Sequence, residues 1–321
     1  MPTYWEVEQR RRQESWRLIR AWRSRDIVAN SDRDVFVSAL EQAEDLLRTA
    51  ALAEHSTRAL PLFYGLSQAG RAIAVAAESG LRLRGHGIHA DFANVAGGTD
   101  LFSTTVWGNG KPGTSFTELS RLLHSAPMLR SQTLSDLWSM VVDVGLSEPR
   151  LRRRRTHLVS DHSGSRGERI LYAINSVPLT GHVFDDAAYA ELCTAYPDLR
   201  GFQLESVHYS DDGRTVQVNF SPAVPWAIRR PGRPYRHSEV LLPAVEGDPA
   251  TLHPMMLWWV ILFSLSMLTR YEPDAWKRAI DVNTAATAVV VEALLDAALD
   301  AIPDIIERVL SEVSGAGMQD G

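Results

Sequence analysis

Along the N- and C-terminal parts of the chain, apolar residues recur every three or four positions; in the middle they alternate or gather in β-branched runs. Residues 4–24 place Trp5, Trp16, Ile19 and Trp22 on one helical stripe, with arginines on the other face. Asn30 and Ser31 are good N-cap residues, and Phe36, Leu40, Ala43, Leu46 and Leu47 keep the helical period towards His55. A third helix is predicted from Ser56 to Ser79. Its regular part should begin near Leu60, because Pro61 fits only a first turn. Gly65 and Gly70 weaken this helix but let a neighbour approach closely, and Gly80 is a natural stop. Residues 93–114 are glycine-rich and read as a loop, or a loop with one short strand around Phe102–Val106. Short helices are predicted near Phe116–His124 and Leu134–Val144.

The period then shortens to two. THLVSD, RILYAINS and GFQLESVHYS-DDG-RTVQVNFS read as strands, the Asp-Asp-Gly between the last two being a hairpin signal. A helix at Asp185–Tyr196 and a strand in SEVLLPAV (238–245) complete this region. Helices return over about Thr251–Tyr271, from Pro273 to about Ala279, and over about 283–313 with a bend at Pro303. The expected fold is therefore mainly α. Residues 1–150 and 251–314 build one helical bundle, residues 156–246 form a small β-rich α+β insert in the middle, and residues 315–321 fray.

Composition narrows the classes. At 321 residues and 45% apolar content the chain can bury a large core. Its net charge of −6 argues against global attraction to nucleic acid, though not against a local basic patch such as Arg150–Arg155. Cys193 stands alone, so neither an internal disulfide nor a thiolate metal cluster is expected, and a reducing cytoplasm fits. The start, MPTYWEVEQRRRQ, has no apolar run of a secretory signal. The most apolar stretch, MMLWWVILFSLSML, is about 14 residues, short of a membrane span, and reads as a buried helix.

No phosphate-binding loop, dinucleotide fingerprint, zinc-protease motif or nucleophile elbow is present, and no cofactor is expected. HLVSDH (157–162) puts His157 and Asp161 on one face of a strand and His162 on the other, which is a poor metal site. The densest chemistry is SGLRLRGHGIHADF (79–92). Histidine exchanges protons near neutrality and arginine holds phosphate by paired hydrogen bonds, so His86, His89, Arg82 and Arg84 suit metal-independent phosphodiester chemistry. The alternative is a polar turn in which His86 caps a helix. Tyr64, Gln68 and Arg71 share one face of the preceding helix, as a structural network or a pocket wall. His253 opens the most apolar helix, and Arg270, Tyr271 and Glu272 close it as charged and aromatic groups at the edge of the core.

LPLFYGLSQAGRAI (60–73), the pair His86-Gly87 and HPMMLWWVILFSLSMLTRYEPDAW (253–276) together resemble the YaaC-like bacterial proteins. That resemblance implies a cytosolic protein and names no reaction. A tyrosine-bearing helix, a basic residue one or two turns on and a following histidine are more distantly similar to HEPN-type helical domains. Several of those are metal-independent ribonucleases that act as dimers through an R-x(4–6)-H motif, and others are non-catalytic binding modules. RGHGIH sets Arg84 and His89 at the shortest such spacing, whereas the His-Gly pair selects His86, whose arginine would be Arg82, one residue too close. The resulting expectation is a dimeric, cytoplasmic protein that binds RNA or a nucleotide. His86 or His89 acts with Arg84 in any cleavage, and Tyr64, Arg71, Arg82, His253, Arg270, Tyr271 and Glu272 bind substrate. The alternative is a non-catalytic regulatory or scaffold module with a protein partner.

Overall fold

The computed structural model describes residues 4–96, 100–143, 158–166, 169–178, 183–224, 231–235 and 238–315. Arg150–Arg155, His157 and residues 316–321 lie outside them, as do the side chains of Trp5, Asp161 and His162. The chain divides into two compact units. One joins Met1–Arg152 to Pro254–Gly321, and the other is Arg153–His253.

The first unit begins with α1 (Tyr4–Trp22), a 3-10 turn over Asn30–Asp32, α2 (Arg33–Leu52) and α3 (His55–Ala77). A sheet of β1 (Ile88–Asp91), β2 (Thr105–Gly108) and β3 (Gln132–Thr133) follows. Helix α4 (Ala93–Ala96) lies between the first two strands in sequence, α5 (Ser115–Leu122) between the next two, and α6 (Leu134–Trp138) after the third. The second unit holds β4 (Leu158–Arg166), β5 (Arg169–Pro178), α7 (Asp186–Ala195), β6 (Phe202–Tyr209), β7 (Thr215–Pro222), β8 (Arg233–Tyr235) and β9 (Ser238–Leu241). The chain then completes the first unit with α8 (Pro254–Tyr271), α9 (Pro273–Ala279) and α10 (Ala288–Val313).

This is not the mainly α bundle with a small insert that the periodicity predicts. Helix accounts for 53% of the structure, and there are two antiparallel sheets, of three and six strands. The three-stranded sheet sits inside the helical unit. Its strands are four, four and two residues long, too short for alternation to register, and β2 runs through the glycine-rich stretch. Residues 101–103 form a 3-10 turn where a strand is predicted, and the strand begins at Thr105. The six-stranded sheet, ordered β6-β7-β5-β4-β9-β8, carries its own core of Ile174, Leu199, Val218, Phe220 and Leu241 against Tyr189 and Leu192 of α7. Its Asp-Asp-Gly hairpin forms between β6 and β7. Gly213 has φ +65°, and the Asp212 carboxylate accepts the Arg214 amide at 3.0 Å.

Two boundaries move for identifiable reasons. Helix α2 starts at Arg33, because Asn30–Asp32 winds as a 3-10 turn and the Asp32 carboxylate is used elsewhere. Helix α3 starts at His55, which places Pro61 beyond the first turn. The arginines of α1 and α2 are not merely a solvated face. Arg20, Arg23 and Arg48 converge on the buried Glu44, with the Arg23 and Arg48 contacts at 2.7 and 2.6 Å. Burial pushes the Glu44 carboxyl up, but Arg20, then Arg48 and Arg23, bring it below the ordinary value.

The core of the first unit forms around α8, which is buried on all sides from Pro254 to Ser266. Helices α3, α5, α6 and α10 and strand β1 pack against it. Gly70 permits the closest of these approaches, since a Cβ there would stand 2.8 Å from both Leu119 Cδ1 and the Trp259 ring. The Trp259 side chain is fully buried and has no free direction to move. Gly70→Val should therefore lower the unfolding free energy by about 1–3 kcal/mol through overpacking. Chemical denaturation checks this, and an unchanged or raised midpoint would show that α3 and α8 are not in close contact there.

Candidate functional site

After α3 the chain turns on glycines. Gly80, Gly85 and Gly87 have φ of +80°, +61° and +76°. The buried Asp32 fixes the start of this turn, accepting from Ser79 Oγ at 2.6 Å, the Gly80 amide at 2.9 Å and the Arg82 guanidinium at 2.7 Å. Ser79 first, then Arg82 and the Gly80 amide, hold the Asp32 carboxyl below its ordinary value. The next residues are laced to 109–116. The Arg84 amide donates to Gly113 O at 2.9 Å, and Gly85 O accepts from Ser115 Oγ at 2.7 Å. His86 O accepts the Phe116 amide and Gly87 O the Asn109 amide, both at 3.0 Å. Gly87 combines a left-handed backbone with no room for a side chain, because a Cβ would lie 2.3 Å from Thr114 Oγ1.

This lacing presents the His86 ring to two phenylalanines, Phe63 of α3 and Phe263 of α8, with ring centroids 5.6 and 5.5 Å away. Burial lowers the His86 pKa, and the charges of Arg270 and Arg71 lower it further. The imidazole is thus neutral at pH 7, able to accept a proton and poor at keeping one. Arg270, in the last turn of α8, donates to the Tyr64 hydroxyl at 2.6 Å. A guanidinium has only donors, so the tyrosine oxygen is the acceptor and its own hydrogen points away from Arg270. Arg270 also lies over the exposed Tyr271 ring, 5.0 Å from its centroid. Arg71 is seven residues beyond Tyr64, about 10 Å along the axis of α3 on the same face. Among the described residues, neither Arg71 nor Arg270 has a carboxylate within ion-pair distance. Arg82 and Arg121 nearby in sequence do, through Asp32 and through Glu78 and Glu118.

The structure thus joins Tyr64, Arg270 and Tyr271 and sets His86 against Phe63 and Phe263, where the charges of Arg270 and Arg71 act on it. Arg82 is held by Asp32. Arg84 is exposed and contributes to the fold through its backbone. His89 lies on the exposed face of β1, stacked on its cross-strand neighbour Trp107 at 5.7 Å and 29°. His253 is buried at the start of α8, roughly 25 Å along the helix from Arg270. Glu272 precedes α9, makes no capping bond with its side chain, and accepts the Trp276 amide with its backbone. The walls around His86, Phe63 and Phe263, are not among the residues that the sequence chemistry picks out. Their signal was available, because Phe63 adjoins Tyr64 and Phe263 stands seven residues before Arg270 on one helical face.

Among the described residues, no three of His, Cys, Asp and Glu gather as metal ligands would. No helix among them is long and apolar enough to cross a membrane. A cleft of 340 Å³ bordered by Asp100, Arg278 and Thr287 contains none of the residues around His86.

A family model, that of the YaaC-like proteins, matches residues 4–310. No curated protein and no solved structure matches the chain. These comparisons give the similarity to HEPN-type domains no support.

Two outcomes follow from this geometry. Because the folded pKa of His86 is below the unfolded one, the unfolded chain binds the extra proton. The resulting loss of stability sets in as pH falls below about 6.5 and continues down to the folded pKa. NMR titration should show His86 below the ordinary imidazole value, and an ordinary or raised value would contradict the burial of its ring. Gly87→Ala should cost about 1–3 kcal/mol through backbone strain and the Thr114 clash. A thermal melt that matches the wild type would show that the loop accommodates the methyl group.

Proposed function

The chain belongs to the YaaC-like family, and for it we propose that the Tyr64–Arg71–His86–Arg270 group binds RNA or a nucleotide through a phosphate. One observation carries this reading. Among the described residues Arg71 and Arg270 have no carboxylate at ion-pair distance, and their charges, after burial, keep the His86 imidazole neutral. Positive charges that act on one neutral imidazole call for an anion, and a phosphate meets arginine with paired, charge-assisted hydrogen bonds. The exposed Tyr271 ring beneath Arg270 offers a flat face beside the anion. In a protein of net charge −6, this local excess works by contact rather than by long-range attraction.

A second reading is metal-independent cleavage of RNA at the bound phosphate, and the neutral His86 favours it. His86 would take the proton of the 2′-hydroxyl, whose oxygen attacks the adjacent phosphorus. The 2′,3′-cyclic phosphate forms, and the 5′-oxygen leaves and takes a proton from water. The arginines would hold the charge on the phosphoryl oxygens. With His89 stacked on Trp107, no second histidine is placed against His86 among the described residues, and binding is the primary reading.

Thermal unfolding with short RNA and mononucleotides tests the binding. The wild type should be stabilised by ligand, by about 2.7 kcal/mol at a hundredfold excess over Kd. Arg270→Ala and His86→Ala should each lose most of that shift. Absence of any shift in the wild type would end the reading. RNA degradation in chelator that disappears in His86→Ala, with an unchanged melting temperature, would establish cleavage. Degradation that survives in both His86→Ala and His89→Ala would exclude it.

A further inference from the structure

We infer that the cleft between α9, the start of α10 and the 3-10 turn at residues 101–103 binds a free α-amino acid, its carboxylate on Arg278 and its ammonium on Asp100. The inference is independent of the phosphate reading above, because none of the residues around His86 borders this cleft.

Two opposite charges share this cavity and do not meet. Arg278 of α9 and Asp100, which caps the 3-10 turn, both line the 340 Å³ cleft. No ion pair joins them, and among the described residues Arg278 makes no hydrogen bond. Asp274 and Asp281, its acidic neighbours in sequence, are beyond ion-pair distance as well. The Asp281 carboxylate is taken by its own turn, accepting the Asn283 amide at 3.0 Å and the Thr284 hydroxyl at 2.9 Å. The Asp100 carboxylate accepts the Phe102 amide with one oxygen, at 3.2 Å, and among the described residues its other oxygen has no donor. A cation without an acceptor and a carboxylate oxygen without a donor, on two elements around one cavity, call for a ligand that carries both charges.

Size selects the ligand. A sphere of 340 Å³ is about 9 Å across, at the small end of ligand pockets. The nitrogen of an α-amino acid lies about 2.7 Å from its nearer carboxylate oxygen, and a hydrogen bond of about 2.8 Å at each end brings the span to roughly 8 Å. A dipeptide, with its charges about 3.5 Å further apart, exceeds the cavity. Thr287, just before α10, is 7% exposed; its hydroxyl donates to Ala279 O at 3.5 Å and makes no capping bond, so its oxygen is a second acceptor for the ammonium. Alanines of α9 and of the turn before α10 leave the space open, and the buried Val95 and Leu101 supply apolar wall for a small aliphatic side chain. An inorganic anion would satisfy Arg278 and face the Asp100 carboxylate, and a simple amine would do the converse.

The experiment is calorimetric titration of the full chain with L-alanine and L-leucine. The analogues that lack the ammonium (propionate and 4-methylpentanoate) and those that lack the carboxylate (the two amides) are titrated alongside. At least one amino acid should bind, and each of its analogues should bind at least about tenfold more weakly, for loss of a charge-assisted hydrogen bond. Asp100→Asn keeps an oxygen for the Phe102 amide and removes the charge. It should bring the amino acid down to the affinity of the analogue without the ammonium. Arg278→Gln should bring it down to the affinity of the amide. Both side chains are exposed, and a thermal melt of each variant confirms that it is folded.

Failure of both amino acids to bind at millimolar concentration would overturn the inference. Binding that is unchanged in both variants would overturn it as well, because the ligand would then sit elsewhere. An ammonium-free analogue that binds as tightly as its amino acid and depends on Arg278 alone would make the cleft an anion site and overturn the pairing with Asp100. None of these results bears on phosphate binding, whose variants lie outside the cleft.

Discussion

A helix that is apolar on all faces must be wrapped on all faces, and α8 imposes that condition on the first unit. Trp258, Trp259, Phe263 and their neighbours are buried in every direction around its axis. Each such side chain contributes about 1.5–3 kcal/mol when removed from water. No single neighbour can cover this helix, so α3, α5, α6, α10 and β1 all lie against it. Close coverage needs small residues at the crossings, which is why α3 carries Gly70 against Trp259 despite the cost of glycine in a helix.

The chemistry gathers where that wrapping ends. Helix α8 leaves the core at Arg270, which meets Tyr64 on the polar face of α3. Phe63 and Phe263 belong to the core and also to the site, since their outer surfaces form the environment of His86. The core therefore sets the protonation of the histidine directly. The same packing that stabilises the unit keeps the imidazole neutral, and the arginines reinforce it. Asp32 has a complementary role, because its bonds to Ser79, Gly80 and Arg82 anchor the turn that delivers His86.

Legibility in the sequence followed the range of the interaction. Tyr64, Gln68 and Arg71 lie within two turns of one helix, so their shared face could be read from spacing alone. The contact of Tyr64 with Arg270 spans 206 positions and has no local signal. The same holds for the choice between Arg82 and Arg71, which depends on a carboxylate 50 residues away from Arg82. The three-stranded sheet escaped because its strands are shorter than one alternation window and its turns are made by glycines that elsewhere mean a loop. The long helices and the Asp-Asp-Gly hairpin were readable because several local preferences agreed there.

The wrapping of α8 also sets an order of events during synthesis. Helix α3 leaves the ribosome about 180 residues before α8 begins. At ordinary translation rates it waits roughly 10–40 s with Phe63, Leu66 and Ile73 lacking the surface that will cover them. The second unit is made within that interval and has a core of its own to form. Newly made chains of this protein are thus adhesive for most of their synthesis. A truncation before Pro254 should leave an aggregation-prone fragment, and a chaperone that shields α3 has its task set by the position of α8 in the gene.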